Sequence, residues 1–382
     1  MLIGIIWAML AGLMLGLYAL PGKYTKDFKF ENTWGLFFVL TMFLVPLVAT
    51  FVLMKDVSGV FSQMPPWKLA VMCVTSFAWG CGVMMWGKAI THIGMSLGFS
   101  LFIGTVILVG SILPIVLGVM EKGLADGAPP MKALLPILAG IVVVLFGVIS
   151  NGKAGLTREK DEAEDKSKEK TPVETSEDET SASMALGIFI AVFGGLLATG
   201  FSVANTISKP ELPALTAEAG NAEWVTALAI MLPIFLSGGV VMSVYFIWQL
   251  TAKKDWGGFK TPHFGRNFVL IFIMAFFHYA ASAVFAYAAY KLGKGMGDTV
   301  GYAIFNTTCV VVAVVSGIVT GEWAKASGEA KRWLYTGLTC MVVGILFIAL
   351  GNSLGRDVEA PAEPESLPPQ AQLELHAPSD WS

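Results

Sequence analysis

A few polar side chains stand inside long apolar runs of this chain, and their types suit two tasks: moving a proton and holding a neutral hydroxylated solute. His278 lies near the middle of the apolar run 267–291. An ionisable group at that depth is costly in a bilayer and is therefore a functional candidate. Imidazole titrates near neutrality, so His278 could take up and release a coupling proton; the alternative is a structural histidine paired with a neighbouring hydroxyl or carbonyl. Asp298, Tyr302 and Asn306 follow one another at i, i+4 and i+8, which sets carboxylate, phenol and amide on one helical face. Such groups bind sugars: a carboxylate accepts from two hydroxyls, an amide donates and accepts, and an aromatic ring packs on the C–H face of a pyranose. Asp298 also follows Gly295, Met296 and Gly297, where it would equally serve as a helix N-terminal cap. Ser202, Asn205 and Lys209 share another face, and a deep asparagine needs a partner, either a substrate hydroxyl or a neighbouring helix. Trp79 and Trp86, two turns apart, could stack on a sugar or pack in a core. His278 and Asp298 are thus the candidates for proton coupling, and Trp79, Trp86, Asn205, Tyr302 and Asn306 those for substrate binding.

The elements that carry these groups follow from composition. Of the residues, 55% are hydrophobic and 14% charged, which fits a polytopic membrane protein and fits a water-soluble domain poorly. Apolar runs fall at about 2–21, 34–54, 69–90, 95–120, 132–150, 184–208, 224–250, 267–291, 296–320 and 333–351. Hydrocarbon cannot hydrogen-bond the backbone, so runs of this length must be helices. The fold class expected is an all-α integral membrane protein of ten transmembrane helices. Trp34, Trp67, Trp224, Trp248, Trp256, Trp323 and Trp333 fall near span ends, as interfacial anchors do. Ser96, Ser100 and Gly104 form a small stripe suited to close helix packing. The fifth and tenth spans are expected to bury no ionisable group and to lie at the periphery. Residues 2–21 lack a basic leader and a small-residue cleavage site, so they read as a retained first helix.

Loops set orientation and domain limits. Those after the first, third, fifth, seventh and ninth spans, with Lys88 at the end of the third, hold 17 of the 25 lysines and arginines, which predicts a cytoplasmic location for them and periplasmic termini. Residues 151–183, rich in Lys, Glu, Asp, Ser and Thr, read as a disordered cytoplasmic linker, and 352–382 as a disordered acidic tail. That leaves 1–150 and 184–351 as two five-helix repeats. An odd number of spans forces the second repeat to enter the membrane in the opposite sense. A faint echo accompanies the count: Trp86 precedes Ile93 and Gly94 as Phe285 precedes Leu292 and Gly293. A 5+5 inverted repeat points to a secondary transporter with substrate bound between the halves.

Several residues match a known family. Trp79, Gly80, Cys81 and Gly82, then Trp86 and Gly87, then the run Ile93 to Gly98, resemble the L-rhamnose/proton symporter family of the drug/metabolite transporter superfamily. Tyr18, Ala19, Pro21, Lys23, Glu31 and Trp34 resemble its first helix and loop, Asn205 with Lys209 and Pro210 its sixth helix, and Asp298, Glu322 and Trp323 its ninth helix and exit. The resemblance implies a ten-helix bacterial inner-membrane importer of a sugar, driven by the proton gradient. Where members of that family carry asparagines in the third helix, this chain has Val83, Met84 and Met85, which cannot hydrogen-bond a hydroxyl. A lost partner of this kind costs about 1–3 kcal/mol, enough to shift the preference from L-rhamnose to a related sugar or polyol.

Other classes find less support. An exporter or another small-metabolite carrier of the same superfamily would need charge at the site for an amine or amino acid, and Asp298 is the one deep anion. No ATP-binding loop, zinc motif or nucleophile motif is present, and Cys73, Cys81, Cys309 and Cys340 lack metal or redox spacing, so neither an enzyme, a cofactor nor a metal is expected. The partners expected are sugar, proton and lipid bilayer, with no nucleic acid.

Overall fold

With no water in hydrocarbon to pair N–H and C=O groups, each apolar run satisfies its own backbone as a helix. The computed structural model describes residues 2–127, 130–167, 177–209, 211–292, 297–321 and 323–359, and among these there is no strand. Ten helices are long and apolar enough to cross a membrane: α1 Leu2–Tyr24, α2 Phe30–Leu53, α3 Pro66–Ile90, α4 Leu97–Met120, α5 Met131–Asp161, α6 Met184–Ile207, α7 Glu223–Ala252, α8 Phe264–Leu292, α9 Asp298–Val319 and α10 Gly328–Gly351. They coincide with the ten apolar runs to within several residues at most ends.

The fifth helix departs from expectation. Beyond residue 150, where composition predicts an unfolded linker, the backbone stays helical to Ser167. Ala, Lys, Glu and Arg are strong helix formers, and the extension is held from outside as well. Lys153 lies over the Trp333 ring at 3.8 Å and Arg158 over the Trp323 ring at 4.8 Å. The helix containing α6 starts at Glu177, and the one containing α10 runs on to Glu359. Residues 168–176 of the expected linker, the tail from 360 onward and Glu322 lie outside the described residues, as do the side chains of Gly94, Met95 and Ser96.

Helical backbone continues from α3 into α4, yet the chain doubles back there. A Cβ on Gly98 would lie 3.4 Å from the Ile90 side chain, whereas eight residues of straight helix span about 12 Å. In α2, Leu40–Leu44 form a wide π-helical turn just before Pro46, whose ring lacks an N–H and would clash with the Met42 carbonyl in a regular helix.

Packing pairs helices from the two ends of the chain. α1 lies against α8 and α9, α6 against α3 and α4, α2 against α7, and α5 against α10. Close approach is made by residues without a side chain. A Cβ on Gly12 would lie 2.7 Å from the Phe305 carbonyl oxygen and 2.6 Å from Cβ of Thr308; one on Gly195 would lie 2.8 Å from the Phe102 carbonyl oxygen and 2.8 Å from Cβ of Thr105. Gly4 faces Leu292 as Gly187 faces Ile93. The rings follow the same scheme: Phe285 meets Tyr302 and Phe305 at 5.8 and 4.8 Å between centroids, and Trp86 meets Phe99 and Phe102 at 5.9 and 5.8 Å.

Each end of the bundle is bridged by loops. On the side expected to be cytoplasmic, Lys26 N–H donates to Asn267 Oδ1 (3.0 Å) and Asn267 Nδ2 donates to the Lys26 carbonyl (2.7 Å). Ion pairs Lys29–Asp255 and Lys253–Glu31 flank this contact. At the other end Lys55 N–H donates to Asn221 Oδ1 (2.7 Å), Asn221 Nδ2 donates to the Lys55 carbonyl (3.1 Å), and Lys68 pairs with Glu211 at 2.6 Å.

The glycine contacts give a stability test. Gly12→Leu and Gly195→Leu should each cost about 1–3 kcal/mol through overpacking, read as a lower thermal unfolding midpoint in detergent. Gly87→Ala, whose added Cβ would meet nothing within 4 Å, should not lower it.

Candidate functional site

His278 points inward from α8 and is enclosed by three other helices. Tyr18 of α1 lies 4.9 Å from its ring, Phe37 of α2 at 5.4 Å and Phe235 of α7 at 5.7 Å. Its Nδ1 is 3.1 Å from Thr41 Oγ1, in the wide turn of α2, and that hydroxyl is also 3.2 Å from the Ala275 carbonyl. The imidazole is half-buried, while Phe37, Thr41 and Phe235 are fully buried. A titratable ring with one nitrogen bonded and aromatic rings around it can hold or release a proton at the other nitrogen.

Trp79 approaches the same place from α3. Phe235 stands between the two, 5.7 Å from Trp79 and 5.7 Å from His278. Trp79 also meets Phe201 at 5.3 Å, and Phe201 meets Tyr302 at 6.5 Å. His278, Trp79 and Tyr302 therefore belong to one continuous aromatic cluster at the centre of the bundle. Tyr302 is 3% exposed and covers Gly110 of α4, where any side chain would collide with its ring.

Asn205 and Asp298 form a second group. Asp298 stands in the first turn of the ninth helix, and its charge is already matched. Lys209 Nζ and Asn205 Nδ2 both donate to Asp298 Oδ1, each at 2.7 Å. The side chains of Lys209 and Asp298 are 21% and 14% exposed, so the pair is mostly withdrawn from solvent. Asn205 is fully buried, and its Oδ1 has no hydrogen-bond partner. A buried amide oxygen left open is an acceptor available to a hydroxyl.

The other two candidates stand apart from these contacts. Trp86 packs in the α3–α4 hairpin, its buried Nε1–H without a partner. Asn306 donates through Nδ2 to the Tyr302 carbonyl at 2.9 Å, one turn back on its own helix. Val83 and Met84 pack at the edge of the core, and Met85 Cβ lies 3.0 Å from a Cβ added to Gly194 of α6. Among the described residues no group of three His, Cys, Asp or Glu could hold a metal.

Sequence reasoning missed Thr41, Tyr18, Phe37 and Phe235 as the surroundings of His278, and Lys209 as the partner of Asp298. One local signal was available: Pro46, five residues behind Thr41 in an apolar helix, marks a turn whose backbone and hydroxyl can reach across to a neighbour.

Comparison with known proteins now bears on this arrangement. A family model described as "L-rhamnose-proton symport protein" matches residues 1–355. The chain belongs to that family. Two relatives cover almost its whole length. An L-rhamnose-proton symporter of Yersinia pestis (strain Pestoides F) is 21% identical over 361 residues, spanning 92% of this chain and 98% of the relative. One of Shigella dysenteriae serotype 1 (strain Sd197) is 22% identical over 359 residues, spanning 91% and 97%. The family is one of proton-coupled transporters and not of enzymes, and ten membrane-crossing helices agree with a multi-pass membrane protein. In this member of the L-rhamnose-proton symport family, the inward polar groups concentrate on α2, α6, α8 and α9, while α5 and α10 pack chiefly on each other.

The Lys209–Asp298 pair can be tested by a double-mutant cycle in thermal unfolding. Asp298→Asn and Lys209→Gln should each destabilise by leaving the other charge unmatched, and the double variant should recover part of the loss. The expected interaction energy is about 0.5–3 kcal/mol.

Proposed function

We propose that this protein is a proton-coupled secondary transporter that imports a neutral monosaccharide, L-rhamnose or a related sugar, across the bacterial inner membrane by alternating access. Membership of the L-rhamnose-proton symport family supports the class of solute and the coupling ion. The observation that carries the mechanism is the recurrence of the same contacts in the two halves of the chain. Gly12 against Phe305 and Thr308 has its counterpart in Gly195 against Phe102 and Thr105, and Phe285 with its two rings in Trp86 with its two. Tyr18 against His278 is likewise matched by Phe201 against Trp79. Such matching supports two inverted repeats, residues 1–150 and 184–351, with substrate held at their junction and one rocking on the other.

In this reading Trp79 and Tyr302 offer faces to the pyranose, Asn205 offers its open amide oxygen, and Trp86 and Asn306 line the path further out. His278 takes up the coupling proton. Protonation of Asp298 would release Lys209 and loosen the junction of α6 with α9. The matched charge at Asp298 favours an uncharged solute over an amine or amino acid, which places export of such metabolites second. Both termini are periplasmic in this scheme.

Two measurements check it. His278→Gln should abolish uptake driven by a proton gradient while sugar counterflow persists; equal gradient-driven uptake in the variant would eliminate His278 as a coupling site. In a thermal-shift panel, a true substrate at 100 times its Kd should stabilise the protein by about 2.7 kcal/mol. Neutral deoxysugars should stabilise it, and uronic acids and amines should not.

A further inference from the structure

We infer that Thr41 is a positioning residue that fixes the tautomer of His278, holding the ring proton on Nδ1 and leaving Nε2 as the nitrogen that accepts and returns the coupling proton. The inference rests on the reading of His278 as the coupling site. Its basis is hydrogen-bond accounting at one atom. Thr41 Oγ1 has a single hydrogen and two neighbours, the Ala275 carbonyl at 3.2 Å and His278 Nδ1 at 3.1 Å. A carbonyl can only accept, so the arrangement that makes both contacts hydrogen bonds sends the threonine hydrogen to Ala275. Oγ1 then meets Nδ1 with a lone pair, and Nδ1 must be the donor. The lone pair of the neutral ring therefore lies on Nε2.

The backbone of α2 makes this placement possible. Thr41 sits in the wide turn Leu40–Leu44 that precedes Pro46, and it is 0% exposed, so its hydroxyl is turned to protein groups. Wide turns of this kind recur at functional positions in helices. Among the described residues, the titratable group facing the ring from a neighbouring helix is Tyr18 of α1; α2 and α7 present Phe37, Thr41 and Phe235, which do not titrate. On α8 itself, Tyr279 packs edge-on against Phe235 at 5.1 Å, and Ser282 donates to the His278 carbonyl at 3.2 Å. When Nε2 gains a proton the Nδ1–H bond to Thr41 is unchanged, and when Nε2 loses it the ring returns to the same tautomer. The proton thus enters and leaves at one face of the imidazole.

Free histidine side chains favour the opposite tautomer, with the hydrogen on Nε2, so the two outcomes are distinct. The test uses the full chain in lipid nanodiscs with ring-15N histidine, at a pH where the imidazoles are neutral. His278→Gln identifies the His278 signals among the four histidines. The expected spectrum shows a protonated Nδ1 and a bare Nε2; Thr41→Val should shift the ring toward Nε2–H, and Thr41→Ser should restore the original pattern. Gradient-driven uptake should fall roughly three- to tenfold in Thr41→Val, the worth of one hydrogen bond, with counterflow retained and recovery in Thr41→Ser. A protonated Nε2 in the neutral wild-type protein, or a spectrum unmoved by Thr41→Val, overturns the inference. Full coupling in His278→Gln would instead remove the reading beneath it, and with it the transport role of Thr41, whatever the spectrum.

Discussion

Inside a bilayer a polar group must find its partner within the protein, and the arrangement of this molecule follows from that demand. The backbone meets it by being helical through all ten spans. Among the side chains, two sets that include a titratable group pair across helices: Thr41 with His278, and Asn205 and Lys209 with Asp298. Each set joins helices distant in sequence, α2 to α8 and α6 to α9.

Glycine supplies what pairing alone cannot. Helices in lipid gain little from hiding apolar surface from one another, so they associate where their backbones come close. Gly12 and Gly195 lie against the carbonyl of a phenylalanine and the threonine one turn beyond it, and around them the rings of α3, α4, α8 and α9 stack in corresponding fashion. The correspondence breaks in chemistry at one point. Trp79 against Phe201 is inert to acid and base, whereas His278 against Tyr18 is not. Similar frameworks thus carry an indole on one side and an imidazole on the other.

The ten spans were legible because length and hydropathy are local properties of the chain, and they located helix ends to a few residues in most cases. The end of α5 escaped, since apolar character stops near residue 150 while helical propensity and the rings of Trp323 and Trp333 carry the helix further. His278 was legible as a lone ionisable group in an apolar run. Its surroundings were not, because Tyr18, Phe37, Thr41 and Phe235 are ordinary residues of three other helices and acquire meaning only from packing. Asp298 was visible as a carboxylate and Lys209 as a neighbour of Asn205, but nothing local to either reveals that they meet across 89 residues.

The two asparagines that bridge the loops, Asn267 and Asn221, each grip both the amide hydrogen and the carbonyl of a single residue, as one β-strand grips another. A grip of this kind reads main chain, although Lys55 adds a side-chain bond of its own, from Nζ to the Gly220 carbonyl at 3.3 Å. It is also neutral. Salt that screens the neighbouring carboxylate–ammonium pairs leaves these amide bonds at full strength, and each mouth of the bundle keeps a fastening indifferent to the ionic medium outside it.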